Sequence, residues 1–498
     1  MPRPTVGRIL HGRQPPTIMP LPRFLLLCCL LTTAVLSAQE ITIDNSLPRL
    51  TAQGDTVDAH DGRLIQFGDT YYWYGTAYGA TNGFTTANHY VAYSSPDLQT
   101  WTFEGRLLPD QPEGVYYRPH VIHNAATGKY VLWYNWYPQL WDGQFGVATS
   151  DSPTGPFEIQ NDDVEMARSA VGLGDFGLFV DDDSTAYISY NTIQNHQVSI
   201  ERLSDDYLSS TLDNGGIIAE HSEAGSQFKR NGKYYLLTDY TCCFCNYGSG
   251  ARVYVSDHPT EGYQLTNNIN RYPGQPAPLL TDGNTRGTHY ATLEVNDSLP
   301  RSVVLQYLRP RPMDRVLISL FTGNRPENCG DVSNPRVHPP IDTPAFDLAY
   351  WDYDHWEELK IADSKRTRTA LQQTLELRFS GVETYQLRIT PRVGSDVNYL
   401  YINELSTGET EEQARAYVTG EGIRQAPIVP AQQAYVMALE TTAGTEYIWI
   451  GDLWGSAPDN VKGHDYPFWS APLEFTAEGG ILPIEWTDEW SVELQRSR

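Results

Sequence analysis

Residues 68–74 have the sequence GDTYYWY, a polar turn followed by the aromatic run typical of a β-strand. The pattern returns as GKYVLWY at 128–134, STAYISY at 184–190 and GKYYLLT at 232–238. The central tyrosines, Tyr71, Tyr130, Tyr187 and Tyr234, are 59, 57 and 47 residues apart. Because a repeat of this length holds four short strands, the pattern predicts the blades of a β-propeller.

A further pair of tyrosine-rich strands appears only at QAYVMAL (433–439) and EYIWIGD (446–452), and we assign it to a fifth blade. The residues before it contain strand-like runs without a sustained helical period, which favours an inserted β-sandwich. The sequence therefore predicts an all-β protein, a five-bladed β-propeller with an inserted sandwich of the jelly-roll type. We expect blades 1–4 in residues 41–268, the insert in 269–412, and the last blade with the closure in 413–498.

The N-terminal segment 1–38 has the organisation of a secretory signal peptide. Arg23 precedes an apolar run at 24–35, and Leu-Ser-Ala at 36–38 forms a small-residue cleavage site before Gln39. The run is too short to span a bilayer permanently. We expect a secreted, periplasmic or cell-surface protein that has no membrane segment after cleavage.

The chain is strongly acidic, with 61 Asp and Glu against 35 Lys and Arg and a formal net charge of -26. Nucleic acid is excluded as the expected partner because phosphate binding needs a basic surface. Aromatic residues make up 12% of the chain and can stack on sugar rings, although they also favour strands. The expected partner is a neutral polysaccharide or oligosaccharide.

Four cysteines follow the signal segment: Cys242, Cys243, Cys245 and Cys329. In an exported protein they favour disulfide bonding, with the pairing left open. The first three lie too close together for a tetrahedral zinc site without a distant ligand. We expect no active-site metal and no required cofactor. The Asp run at 181–183 is explained by a hairpin turn or by a structural Ca²⁺.

Three carboxylates occupy matching positions in the repeat. Asp61, Asp175 and Glu223 lie 10, 12 and 11 residues before the central tyrosines of blades 1, 3 and 4. Because inner strands face the central funnel, acids at equivalent positions should converge there. Hydrolysis of a glycosidic bond needs one acid to protonate the leaving oxygen and one carboxylate to receive or activate the nucleophile. These three residues are therefore the predicted catalytic set, whereas Glu220 lies outside the register.

The same segments resemble the family 43 glycoside hydrolases. Asp61 before GDTYY (68–72), the stretch DFGLFVDDD (175–183) and the glutamate of EAGSQFKRNG (223–232) match that family's pattern. The resemblance implies an inverting hydrolase in which Asp61 is the general base and Glu223 the general acid. It also implies that Asp175 modulates the pKa of Glu223.

A narrower resemblance is to the exo-β-1,3-galactanase branch, over about 55–265 and 425–492. It rests on YRPHVIHNAATGKY (117–130), EAGSQFKRNGKYYL (223–236), QQAYV (432–436), WIGDLW (449–454) and YPFWSAPL (466–473). That branch has a glutamate in place of Tyr117 and a lysine in place of His120, and commonly lacks Asp61. Galactose- or arabinose-containing polysaccharide, such as β-1,3-galactan or arabinogalactan, is the expected substrate. The alternatives are α-L-arabinofuranosidase, β-galactofuranosidase or β-xylosidase activity.

Six residues are candidates for substrate binding: His60, Tyr117, Arg118, His120, Gln432 and Trp454. Either histidine could equally be a polar core group. The resemblance implies that Gln432 positions the attacking water or binds sugar.

The insert resembles discoidin-like modules through Thr-Asp-Gly (281–283), Leu-Arg-Ile (387–389) and Ile-Asn-Glu-Leu (402–405). This resemblance implies a possible carbohydrate-binding module. An alternative of another class is a propeller that binds carbohydrate without catalysis.

Overall fold

The computed structural model describes residues 37–139, 141–169, 172–240, 243–244, 250–285, 289–295, 301–321, 324–325, 336–337, 346–369, 372–392, 399–408, 413–423 and 425–496. Within these ranges the regular structure is β-strand, apart from 3₁₀ turns at Pro278–Leu280 and Lys462–His464. None of the helices in the described residues is long and apolar enough to cross a membrane. The predicted all-β fold is confirmed.

After a first strand, β1 (Ser37–Asp44), the chain forms four antiparallel sheets of four strands in sequence order. Blade 1 contains β2 (His60–Phe67), β3 (Thr70–Ala77), β4 (His89–Ser95) and β5 (Thr102–Arg106). Blade 2 contains β6 (Val115–Asn124), β7 (Lys129–Tyr137), β8 (Gln144–Ser150) and β9 (Glu158–Asn161). Blade 3 contains β10 (Leu173–Val180), β11 (Ala186–Thr192), β12 (Val198–Leu203) and β13 (Ser210–Asn214). Blade 4 contains β14 (Ser222–Arg230), β15 (Lys233–Tyr240), β16 (Arg252–Ser256) and β17 (Gln264–Asn268).

The repeated aromatic runs form the second strand of each blade. Every residue of β11 is buried, and β7 is buried after its first two residues. Both faces of these strands pack against neighbouring blades, so they contain near-continuous apolar runs rather than an alternation. One apolar cluster, for example, joins Tyr74 of blade 1 to Leu132 and Tyr134 of blade 2. The tyrosine repeat therefore marks the strands that are buried between blades.

The insert follows blade 4 and forms one large sheet around its own core. Its strands are β18 (Gln275–Pro276), β19 (Ala291–Glu294), β20 (Arg301–Phe321), β21 (Asn324–Arg325), β22 (Arg336–Val337), β23 (Phe346–Asp352), β24 (His355–Leu359), β25 (Ile361–Arg368), β26 (Gln372–Pro391), β27 (Tyr399–Ser406) and β28 (Arg415–Gly420); β21 and β22 pair separately. The long strands β20 and β26 pair along their length, with register shifts between Gln306 and Arg311 and between Met313 and Arg315. Residues from both halves of β20 and β26 enclose one apolar core.

The predicted end of the insert at residue 412 needs correction. β28 lies beyond that residue but pairs with β20 from Arg301↔Gly420 to Gln306↔Arg415, so it belongs to the insert's sheet. The assignment of the insert as a discoidin-like, carbohydrate-binding module stays a prediction.

Blade 5 is built by both ends of the described chain. It contains β29 (Gln432–Thr441), β30 (Gly444–Leu453), β31 (Tyr466–Trp469) and β32 (Glu489–Arg496), with β1 paired to β32 at the edge. The inner strands β2, β6, β10, β14 and β29 contact one another in a closed ring. The predicted five-bladed propeller is confirmed. Ser37 and Ala38, the end of the predicted signal segment, lie in β1, and residues 1–36 lie outside the described residues.

Candidate active site

All five inner strands break their ladder register near their first residues. The breaks fall between His60 and Arg63 in β2, Tyr117 and His120 in β6, Leu173 and Phe176 in β10, Glu223 and Ser226 in β14, and Gln433 and Tyr435 in β29. Such β-bulges bend a strand and re-aim its side chains, and they are common beside active sites. Each predicted catalytic carboxylate lies at one of these breaks.

The bulges surround one pocket of about 80 Å³. It is lined by Asp61, Tyr78, Phe84, Tyr117, Arg118, Tyr137, Trp141, Gly174, Asp175, Asn191, Ile193, His196, Glu223, Cys243, Phe244, Gln432 and Trp454. The structure thus brings Asp61, Asp175 and Glu223 together, along with four of the six predicted binding residues.

Asp61 is held in a left-handed backbone conformation, with φ of 52°. Its backbone N–H donates to Asp452 Oδ2 at 2.9 Å. The next residue must be glycine, because a Cβ at Gly62 would overlap the carbonyl oxygen of Tyr74. The bulge therefore fixes the direction of the Asp61 carboxylate before any substrate binds.

Hydroxyl groups solvate the Asp61 carboxylate inside the protein. Thr76 Oγ1 donates to Oδ1 at 2.8 Å and Tyr78 Oη donates to Oδ2 at 2.6 Å. Burial raises the pKa of Asp61 to about 7, although Arg118 and the two hydroxyl groups oppose this rise. A carboxyl group that titrates near neutrality is suited to proton transfer at physiological pH.

Arg118 is the buried cation of the site. Its guanidinium forms an ion pair with Asp175 Oδ2 at 2.7 Å and donates to the carbonyl oxygens of Ala434 and Gln433 at 3.2 and 3.3 Å. Its backbone N–H approaches Asp61 Oδ1 at 3.3 Å. Burial opposes its charge, but Asp175 and Asp61 together raise the pKa of Arg118. Arg118 thus links the inner strands of blades 1, 2, 3 and 5.

Glu223 lies where β14 breaks its register, and Gln432 binds it from β29. Gln432 Nε2 donates to Glu223 Oε2 at 3.3 Å. The amide oxygen of Gln432 accepts from Trp454 Nε1 at 2.8 Å and from the backbone N–H of Phe244 at 3.1 Å. These contacts fix which end of the Gln432 amide faces the carboxylate, so Glu223 meets an N–H donor.

Comparison with known proteins agrees with this geometry. Residues 56–289 match the family description "Glycosyl hydrolases family 43". The predicted resemblance to the family 43 glycoside hydrolases is confirmed. A search of curated proteins gave no match.

Solved structures share the fold of this chain at low sequence identity. An exo-β-1,3-galactanase from Clostridium thermocellum has a TM-score of 0.51 and 18% identity, over 90% of this chain and 66% of that one. A family 43 β-1,3-galactosidase has a TM-score of 0.51 and 17% identity, over 91% of this chain and 64% of that one. Another, solved with galactodeoxynojirimycin, has a TM-score of 0.51 and 18% identity, over 90% and 99%. This chain thus spans less than two thirds of the length of the first two proteins.

Asp239 is a fourth carboxyl group that the repeat did not indicate. It lies on β15, directly across the ladder from Glu223, and only 2% of it is exposed. Burial raises its pKa well above the usual value, and the charges of Glu223 and Asp175 add to this rise. The sequence signal was a lone acid in the apolar second strand of a blade, a position that normally packs between blades.

The two predicted histidines, His60 and His120, do not line the pocket. His60 is 1% exposed; its Nδ1 lies 3.2 Å from Asp452 Oδ1, and its ring packs against Tyr78 and Trp454. His120 is fully buried between Phe176 and Tyr435. Burial lowers the pKa of His120 well below its usual value, with further lowering by Arg63 and Arg118. His120 is therefore a neutral core residue, and His60 supports the pocket from behind.

Aromatic rings form the wall and the rim of the pocket. Phe244 packs against Tyr78, Phe84 and Trp454, and Lys462 Nζ lies 4.1 Å from the centre of the Phe244 ring. At the rim, Phe84 is 45% exposed and Trp141 58% exposed. The protein thus offers exposed aromatic rings just outside the carboxylates of the pocket.

The predicted disulfide gains no support from Cys243, whose thiol is free. Burial raises the pKa of that thiol to about 12, helped by Glu223 and Asp175, so it stays protonated. Cys242, Cys245 and Cys329 lie outside the described residues.

The Asp run at 181–183 joins blades 3 and 4. Lys229 Nζ lies 2.7 Å from Asp181 and 3.0 Å from Asp182. In the described part of the chain, no group of three His, Cys, Asp or Glu residues has the geometry to hold a metal. A structural Ca²⁺ and the absence of a required cofactor stay predictions.

Proposed function

We propose that the hydrolase is an exo-acting, inverting enzyme that removes sugar from the ends of a galactose- or arabinose-containing polysaccharide, with β-1,3-galactan as the leading substrate. The observation that carries this proposal is the placement of Asp61 and Glu223. They project from the inner strands of blades 1 and 4, which blade 5 separates in the ring, into one pocket. Inversion needs a gap of about 6.5–9.5 Å between the two carboxyl groups, so that water fits beside the sugar.

In this proposal Asp61 acts as general base and Glu223 as general acid. Asp61 takes a proton from water as the water oxygen bonds to the anomeric carbon. Glu223 gives its proton to the glycosidic oxygen as the bond between that oxygen and the anomeric carbon breaks. Gln432 orients Glu223, and Arg118 holds Asp175 beside the reacting groups.

Exo action is supported by the shape of the pocket. Tyr117, Phe244 and Trp454 enclose a space of about 80 Å³, which favours a single terminal sugar over a chain passing through. The exposed rings of Phe84 and Trp141 would then stack on the sugars that remain attached to the leaving group.

The solved proteins of similar fold include an exo-β-1,3-galactanase and β-1,3-galactosidases, which favours a β-1,3-linked galactose substrate. Tyr117, His120 and Asp61 are the departures from that branch, so arabinofuranoside, galactofuranoside and xyloside substrates belong in the same test.

The test is time-resolved NMR of the first products released from β-1,3-galactan and from the competing substrates. We expect a monosaccharide of inverted anomeric configuration. Glu223→Gln should lower kcat by about 10²–10⁴-fold because the leaving oxygen loses its proton donor. Glu220→Gln is the matched control, because Glu220 is exposed and its carboxylate accepts from Gln197. A retained product would contradict the mechanism.

A non-catalytic binding propeller is the alternative of another class. It predicts that the wild type and Glu223→Gln are equally inert on every substrate while both bind oligosaccharide. The three converging carboxylates favour catalysis.

We further infer that the protein is exported. Arg23 and the apolar run at 24–35 support this assignment. Mass spectrometry of the mature protein should find Gln39 at its N-terminus, and a retained 1–38 segment would contradict export by cleavage. Cleavage would leave residues 39–44 of β1 paired with β32.

A further inference from the structure

A second cleft lies where the insert meets blade 4. It has a volume of about 280 Å³ and is formed by the end of β17, the segment after it, the hairpin β23–β24 and strand β26. We call it the junction cleft. Its lining side chains are of three kinds: indole rings of Trp351 and Trp356, guanidinium groups of Arg271 and Arg388, and amides that include Asn267 and Gln425.

The charge of the junction cleft is opposite to that of the protein. The chain has 61 acidic and 35 basic side chains, yet the described residues that line this cleft include two arginines and no Asp or Glu. Arginine remains protonated at any ordinary pH. The lining therefore favours an anion in a molecule that otherwise repels anions.

Arg388 packs on Trp356, which in turn packs against Trp351. Its guanidinium carbon lies 4.6 Å from the centre of the Trp356 ring, which packs edge-on against Trp351 at 5.2 Å. Burial lowers the pKa of Arg388, and Glu358 partly opposes this. Glu358 does not line the cleft, and Arg388 forms no ion pair with any residue in the described part of the chain. A partly desolvated cation thus faces the cleft without a bound carboxylate.

Arg271 lies on the propeller side. Its Nη1 donates to the backbone carbonyl of Gln425 at 2.7 Å, and its guanidinium carbon lies 4.9 Å from the centre of the Tyr240 ring. Burial lowers its pKa as well. The two cations therefore come from different parts of the chain, the segment that follows blade 4 and strand β26 of the insert, and both line the cleft.

We propose that the junction cleft binds a saccharide that bears a carboxylate, a uronic acid unit of a polysaccharide chain. The guanidinium groups pair with the carboxylate, the indole rings stack on the apolar face of the sugar, and the amides bind its hydroxyl groups. This inference rests on the proposed polysaccharide substrate and adds to it. The active site would then cut a chain whose charged side unit is held at the insert.

The test measures binding in the Glu223→Gln background, so that no turnover is needed. The probes are a glucuronate-bearing arabinogalactan and the same polymer after chemical reduction of its carboxyl groups. We expect the unreduced polymer to bind at least about tenfold more tightly, and added salt to weaken only that binding. Free glucuronate at high concentration should compete, which separates recognition of the sugar from recognition of the polymer.

Arg388→Gln together with Arg271→Gln should abolish the difference between the two polymers. Arg202→Gln is the matched control, because Arg202 is an exposed arginine of blade 3 that lies 3.7 Å from Asp205. Trp356→Ala removes the stacking surface without changing the charge of the cleft and should weaken the binding of both polymers. The proposal would be overturned if the Glu223→Gln protein bound both polymers with equal affinity, or if the two arginine substitutions left the difference in affinity unchanged.

Hydrolysis of a small aryl glycoside, which does not reach the cleft, should be unchanged in the double arginine variant. If the wild type is inert on every substrate while the polymer difference persists, the proposed function fails and the cleft proposal survives.

Discussion

In the proposed mechanism, the proton of Asp61 sets the pH at which the enzyme works. Its pKa is raised to about 7 by burial, and the proposed mechanism needs it ionised. kcat/KM should therefore increase as the pH rises through about 7, which a pH–rate profile with an aryl glycoside would measure. A profile already flat from pH 5 to 8 would contradict Asp61 as the base.

Tyr78 tunes that proton. Its hydroxyl donates to Asp61 at 2.6 Å and stabilises the ionised carboxylate. Tyr78→Phe should raise the pKa of Asp61 further and move the acidic limb of kcat/KM to higher pH. Tyr116→Phe is the control, because the Tyr116 hydroxyl binds the carbonyl of Pro112 instead. A limb that stays in place would show that the hydroxyl does not act on Asp61.

Asp239 makes the stability of the fold depend on pH. Its pKa is raised in the folded state, so the folded protein binds a proton that the unfolded chain releases above about pH 3.8. Stability from this group is fully present below that pH and is lost as the pH rises towards the folded-state pKa. Asp239→Asn should therefore gain in Tm over the wild type from pH 4 to pH 7. A constant Tm difference would mean that Asp239 is ionised in the fold.

At the residue level, the sequence predicted the acids of the inner strands and missed the acid beside them. Asp61, Asp175 and Glu223 shared a position in a repeat, and matching positions face one funnel. Asp239 was missed because only acids of the first strands were compared; its counterpart is Asp452, which follows Tyr447 by five residues as Asp239 follows Tyr234. His60 and His120 are close in sequence to residues that line the pocket. A bulge interrupts the alternation of side chains between the two faces of a strand, so the sequence does not show to which face either histidine points.

At the element level, the β-bulges position the carboxylates that line the pocket. β14 shows how close the packing is, because a Cβ at Gly225 would overlap the carbonyl of Leu237 on β15 and reach the Gln433 amide at 2.9 Å. Gly225→Ala should lower stability by about 3 kcal/mol or more and displace Glu223, with a loss of kcat. Gly68→Ala is the control: φ there is 60° but nothing lies within 4 Å, so about 1 kcal/mol of strain is expected. Thermal unfolding and kcat of both variants provide the check.

The strands themselves were predictable where burial on both faces made them aromatic and continuous. The strand pairing of the insert was harder to predict because β20 and β26 each pair with several other strands along their length. A strand of such length changes partners along its course, and β28 joins it from beyond the predicted boundary. Local patterns show that a strand exists but not with which strand it pairs.

At the scale of the whole molecule, the ring is closed by β1 and β32, paired from Ser37↔Arg496 to Asp44↔Glu489. Leu494 is fully buried in the cluster between blades 5 and 1. Leu494→Ala should cost about 2–5 kcal/mol of unfolding free energy, because it opens a cavity at the closure. The exposed neighbour Gln495→Ala should cost almost nothing. Equal unfolding midpoints in a denaturant titration would show that the ring does not depend on this contact.

This closure was not predictable, because its partners are at opposite ends of the chain and no local repeat marks β1. The number of blades was predictable, since each blade repeats the same buried run.

The attachment of the insert has a consequence for how such a chain could diversify. Asn270 and Val429 exchange hydrogen bonds of 2.9 and 2.8 Å, and the backbone N–H of Tyr272 donates to Ala426 at 3.0 Å. The two chain segments that connect the insert to the propeller thus run side by side at the edge of blade 4. A short loop could span them, so the length and content of what lies between are free to change without moving any blade. The insert could therefore be replaced by another domain while the five blades of the propeller keep their structure.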